Sequence, residues 1–145
     1  MPRKSRPEWD GQQLLPGMAH ARSRRVRRNG KTQNAETVVT NECLDCLAKR
    51  PGIVAFAWRN NSGMAFLRYG GAITLAPEGS PDIIGQLVDG RFLGVECKLP
   101  GEEPTELQVD FLERIRRYGG VALVVHSAEE LAADLRRIVC GEGSQ

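Results

Sequence analysis

The chain has no run of about 18 apolar residues and no apolar stretch behind its basic amino terminus, "MPRKSRPEWDGQQLLPG", so neither a membrane-crossing helix nor a secretory leader is expected. The expected setting is soluble and intracellular, the cytoplasm of a bacterial or phage-encoded system. Histidine is scarce, with only His20 and His126. That scarcity argues against zinc even though four cysteines are present, at 43, 46, 97 and 140. Cys43 and Cys46 share a helical pattern with Val39 and Leu47, which suits reduced thiols used as small core residues. Internal repeats and low-complexity tracts are also missing, which leaves an ordinary globular chain of 145 residues with room for one domain.

Charge is present but unevenly placed. Residues 1 to 31 carry nine Lys or Arg against Glu8 and Asp10, a balance of +7, whereas residues 32 to 145 carry eleven basic against sixteen acidic residues, a balance of −5. The centre of the basic segment is "ARSRRVRRNGK", with Arg24, Arg25, Arg27 and Arg28. Such a run suits a polyanion through counterion release, and it equally suits a solvated tail. The expected organisation is an irregular basic arm over 1–31, a folded domain over 32–140 and a flexible tail over 141–145.

Along the domain, the period of Val39, Cys43, Cys46 and Leu47 predicts a helix over 34–50, stopped by Pro51-Gly52. "IVAFAW" (53–58) and "MAFLRY" (64–69) predict strands joined through Asn60-Asn61-Ser62-Gly63, and a loop follows through Pro77 and Gly79. Two short strands come next in "GSPDIIGQLVDGRFLGVECKL". A helix begins at Pro104-Thr105 and closes at Gly119-Gly120. "VALVVH" then reads as a strand buried on both faces, and Ser127 with Glu130 forms a capping box for a last helix. The fold class is α/β, a mixed sheet flanked by helices.

The "GSPDIIGQLVDGRFLGVECKL" stretch carries Asp82, Glu96 and Lys98 among apolar residues. Glu96 and Lys98 share one strand face, and the turn decides whether Asp82 joins them. A two-residue loop at Asp89-Gly90 would send Asp82 to the opposite face. A three-residue loop, Val88-Asp89-Gly90 with Gly90 left-handed, pairs Leu87 with Arg91 and Asp82 with Glu96. This second register also gathers Ile83, Leu87, Leu93, Val95, Cys97 and Leu99 on one face and Asp82, Gln86, Glu96 and Lys98 on the other, so it is the one expected. Two carboxylates paired across strands repel unless a cation lies between them, and hard oxygen ligands favour magnesium or manganese. Lys98 beside them is suited to orient or deprotonate water, or to neutralise charge on a phosphate. The competing reading is a surface trio forming one weak ion pair.

Gly79-Ser80-Pro81-Asp82 followed by Glu96-Cys97-Lys98 resembles the PD-(D/E)xK nuclease signature. With "AWRNNSG", "GSPDIIG", "GRFLGVECK", "TELQVDFLERI" and "GGVALVVHS" in order, the chain resembles the virus-type replication-repair nuclease domain, VRR-NUC, over roughly 34–138. The resemblance implies a restriction-endonuclease-like core in α-β-β-β-α-β order and metal-dependent endonuclease cleavage of branched DNA, four-way (Holliday) junctions or flaps, usually by a homodimer. It implies Asp82, Glu96 and the backbone carbonyl of Cys97 as ligands of Mg2+ or Mn2+, with Lys98 catalytic. A further acid belongs on the first helix, where Glu36 and Glu42 compete and Glu36 is preferred for its place in the first turn; there a carboxylate also complements the helix dipole. Gln108 matches a glutamine near the metal, and it also fits a capping box with Thr105. Arg59, Asn60, Asn61 and Ser62 are candidates for DNA contact, or simply a polar turn. The arm would hold DNA flanks without reading sequence. Rival expectations are a restriction-like nuclease and a non-catalytic DNA-binding protein on the same fold.

Overall fold

A computed structural model describes residues 34–141. The basic arm, with Arg24, Arg25, Arg27 and Arg28, and the tail over 142–145 lie outside the described residues.

The first helix, α1 (Ala35–Ala48), starts at Asn34, whose side chain accepts the Glu36 N–H, and buries Thr40, Cys43, Cys46 and Leu47. Strand β1 (Val54–Arg59) follows, then β2 (Gly63–Phe66) and β3 (Ala72–Ala76). "MAFLRY" stops being a strand at Phe66, and "AITLA", read as part of a loop, is the strand that pairs with β2. Gly70, at φ 94°, turns the chain between them, a conformation that costs glycine little.

Strands β4 (Ile83–Leu87) and β5 (Phe92–Cys97) form the next hairpin, and helix α2 (Glu106–Arg117), strand β6 (Val121–Val125) and helix α3 (Ala128–Cys140) complete the fold. The main sheet runs β1-β4-β5-β6, with β4 antiparallel to β1 and β5, and β6 parallel to β5. The architecture is therefore mixed α/β with three helices, and β2–β3 is a separate two-stranded sheet. The order read from the residues, helix, several strands, helix, strand and closing helix, is found with one strand added, β3.

One sheet face carries Ile83, Leu87, Leu93, Val95 and Cys97, which pack with Cys43 and Leu47 of α1 and Leu131 and Leu135 of α3 in the main core. Burying side chains of this size contributes about 1.5–3 kcal/mol each. Leu99 falls past the end of β5 and is only half-buried. On the other face Leu112 and Ile115 of α2 pack on Ala122 of β6. Ser127 accepts the Glu130 N–H as N-cap, but the expected reciprocal bond is absent: the Glu130 carboxylate takes the His126 N–H at 2.7 Å instead. Among the described residues no helix is long and apolar enough to cross a membrane.

Candidate active site

The β4–β5 turn sets the geometry of the site. The Leu87 N–H donates to the Arg91 carbonyl at 2.9 Å and the Gly90 N–H donates to the Leu87 carbonyl at 3.0 Å, with Gly90 at φ 92°. This is the three-residue loop expected from the sequence, and the register follows from it: Gln86 opposite Phe92, Gly85 opposite Leu93 and Ile83 opposite Val95. One further step puts Asp82 opposite Glu96. Since Leu87 and Arg91 form a hydrogen-bonded pair, alternation makes Asp82 and Glu96 a non-hydrogen-bonded pair, the kind with closer side chains.

Asp82 is held from three directions. Its carbonyl accepts the Asn60 N–H at 2.7 Å, and its carboxylate Oδ2 accepts the Cys97 N–H at 3.0 Å. Before it, the Asn60 amide donates to Ser80 Oγ and to the Pro81 carbonyl, both at 2.9 Å. Asn60 thus spends its NH2 group bracing the segment that delivers Asp82, a role the sequence reading missed. Gly79 (φ 78°) lies so close to α2 that an added Cβ would sit 2.4 Å from the Leu107 carbonyl oxygen. Arg59, Asn61 and Ser62 are exposed near this edge.

Glu96 is fully buried, and its two oxygens are treated differently. Oε1 accepts from Lys98 Nζ at 2.9 Å and from Gln108 Nε2 at 2.6 Å. Oε2 is buried with no partner among the described residues. An unpaired buried acceptor costs about 1–3 kcal/mol, so Oε2 is the Glu96 oxygen with coordination to spare. Burial, with help from the Asp82 charge, pushes the Glu96 carboxyl up to about 7 although Lys98 pulls the other way.

Lys98 is nearly buried, and its ammonium is 2.9 Å from Glu96 and 3.9 Å from Glu36 Oε1. Burial works to discharge it, but the Glu96 bond and the charges of Glu96, Glu36 and Asp82 outweigh burial and hold it above its ordinary value. Of the two first-helix acids, the structure therefore brings Glu36 to Lys98, while Glu42 lines a separate groove with Asp45, Lys49 and Glu129.

Gln108 performs both of the tasks open to it. Its Oε1 accepts the Thr105 N–H at 2.8 Å and its own N–H donates to Thr105 Oγ1, closing the capping box. With the amide oxygen fixed on the cap, the NH2 end must face Glu96.

No family model matches the chain, and no curated protein matches it.

Among the described residues, no three of His, Cys, Asp and Glu converge as a preformed metal group. The Cys97 thiol faces the opposite way, into the core; its hydrogen bond with Cys43 and its burial push it far up, so it stays a neutral thiol. The Cys97 carbonyl points to the same side as its N–H, toward Asp82, by strand geometry. Two carboxylates and one carbonyl are enough for magnesium, which keeps several waters and takes only one or two protein carboxylates. The unpartnered Oε2 fits that arrangement.

Proposed function

We propose that this chain is a metal-dependent DNA endonuclease of the PD-(D/E)xK type, with the restriction-endonuclease-like core and the VRR-NUC character that its motifs resemble, acting on branched DNA as a homodimer. The observation that carries the reading is Glu96: a fully buried carboxylate opposite Asp82, with one oxygen held by Lys98 and Gln108 and the other unpartnered. A fold does not bury such a charge cluster for stability, since replacing it with apolar residues is often neutral or better.

Asp82, Glu96 and the Cys97 carbonyl would hold Mg2+ or Mn2+, which when bound supplies an activated water and polarises the phosphate. Gln108 and Lys98 fix Glu96 so that Oε2 faces outward from their bonds. Lys98, kept charged by Glu96 and Glu36, is suited to neutralise negative charge building on the phosphate and to orient the attacking water rather than to deprotonate it. Glu36 supports Lys98 from the first turn of α1. The exposed Asn61 and Ser62 just past β1 are suited to phosphate or sugar contact, whereas Arg59, opposite Ile83, belongs by register to the other sheet face; the basic arm would add contacts without sequence preference.

The test is a panel of end-labelled four-way junctions, flaps, forks and linear duplexes incubated with Mg2+ or Mn2+. Wild type should nick branched forms and Asp82→Asn should not. DNA binding with no metal-dependent nicking above Lys98→Ala would instead make this a non-catalytic DNA-binding protein.

A further inference from the structure

The main sheet is covered unequally. The face with Ile83 and Val95 lies under α1 and α3, whereas on the face with Glu96, among the described residues, helix α2 packs chiefly over β6 and β5. Phe56 and Trp58 of β1 and Phe92 of β5 stand on that second face, 51%, 49% and 44% exposed. Partners across antiparallel strands point the same way, so the register orders the face in rows. Phe56, Gln86 and Phe92 form one row, Trp58, Ile84 and Gly94 the next, and Asp82 with Glu96 the row after. Rows two residues apart are separated by about 7 Å. The aromatic surface thus begins one row from the carboxylates.

Phe56 and Trp58 are already stacked on one another, with centroids 5.9 Å apart and planes 23° from parallel. Beyond Phe92 the face continues into a groove of about 660 Å³ whose lining includes Arg91, Phe111, Arg114 and Tyr118. Arg91 is held by Asp89 at 2.7 Å, while Arg114 makes no ion pair among the described residues.

We infer that the bare half-sheet bearing Phe56, Trp58 and Phe92 is a stacking platform for unpaired DNA bases, which directs the site to substrates with a single-stranded segment beside the scissile phosphate. The inference rests on the DNA-nuclease reading above. Exposed aromatics on an open sheet accept any base by its π-face, and the arginine-bearing groove beyond Phe92 complements the backbone of a strand crossing the rows. A second protein copy seated on this surface would lie within a row of Asp82 and Glu96 and close them to DNA. The occupant that leaves the chemistry accessible is the substrate strand itself.

The experiment uses the full chain in a Trp9→Phe background, so that emission reports Trp58 alone, in EDTA so that cleavage does not intrude. A labelled oligothymidine of about 12 nucleotides should quench Trp58. Trp58→Ala and Phe92→Ala should each weaken oligothymidine binding by about tenfold, read by anisotropy, with duplex of equal length bound as before and Trp58→Phe retaining most of the affinity. Unchanged oligothymidine binding by both alanine variants overturns the platform, and so does a fall in particle mass from dimer to monomer with Trp58 emission indifferent to DNA. The two readings fail separately. A protein that nicks branched DNA with its alanine variants binding normally loses only the platform. One that binds oligothymidine through Trp58 but never nicks with Mg2+ or Mn2+ loses only the nuclease reading.

Discussion

At residues 67 to 71 and again at 87 to 91, a leucine N–H donates to the carbonyl four residues on, at 3.0 and 2.9 Å, and a glycine N–H closes back on the leucine carbonyl, at 3.1 and 3.0 Å. Gly70 and Gly90 take nearly the same left-handed angle, φ 94° and 92°. The strands they join have opposite surroundings. In β4–β5 every second residue is buried against α1 and α3, and the far end of the other face carries Asp82 and Glu96. In β2–β3 only Ala76 is buried, while Met64, Phe66, Ile73 and Leu75 remain exposed. Turn chemistry fixes register locally, but it does not decide what a hairpin is for. That depends on which strands and helices flank it: β4–β5 sits at the sheet centre between β1 and β6, where a carboxylate can be buried and held, and β2–β3 pairs only with itself.

The two hairpins should differ most in their response at Lys98. On the proposed reading, Lys98→Ala should lower metal-dependent nicking by about a thousandfold, whereas Phe66→Ala at the exposed hairpin should leave the chemical step intact. Single-turnover cleavage of a labelled junction reads both. Comparable losses would place the chemistry outside the Asp82–Glu96 row.

The next effect is on stability. The native Glu96 carboxyl lies at about 7 against an ordinary 4.5, so the native state binds the extra proton. Its contribution is complete below pH 4.5 and is lost as pH rises through 7. The metal-free chain should lose roughly 3 kcal/mol across that window, and Glu96→Gln should flatten the slope. Lys98, shifted upward from an already high value, adds no slope there. Denaturant titrations at several pH values measure this, and stability that increases with pH across the window would contradict it.

Smaller still is the difference between the two turns. Gly90→Ala should cost about 1–2 kcal/mol of global stability for its left-handed backbone. Gly70→Ala, at the same angle, should cost less than half as much, because the hairpin it closes packs little against the core. Equal costs would mean that β2–β3 folds cooperatively with the main sheet. Finally, Gln108→Ala should cost about 1 kcal/mol through the lost cap, while Gln108→Glu should keep most of that stability, since glutamate suits the same capping position, yet reduce nicking by setting a second carboxylate against Glu96. Melting curves beside cleavage rates separate the two tasks.

Much of this site was legible because its signals are local. Gly90 three residues after Leu87, together with the alternation of Val95, Glu96, Cys97 and Lys98, favours the one register that sorts the charges from the apolar set. The cap at Thr105 and Gln108 was legible for the same reason. "AITLA" was not, because it follows two glycines, buries almost nothing and shows no polar alternation to mark it as a strand. Asn60 was read as a turn or DNA contact, since its bonds to Ser80 and Pro81 span about twenty residues of chain. Nor does "VAFAWR" tell its covered side from its bare one. Both are apolar, and only the placement of α2 over β5 and β6 leaves Phe56 and Trp58 in the open.

Asp82 and Glu96 face each other across the β4–β5 hairpin, and on the proposed reading they are the two sides of a cation site. Calorimetric titration of the full chain with Mn2+ tests it most directly. Wild type should bind the ion, and Asp82→Asn and Glu96→Gln should each weaken binding by more than about tenfold, the loss expected when a direct ligand is removed from a site with so few. Binding that survives both substitutions unchanged, or a wild-type chain that takes up no ion, would contradict the account.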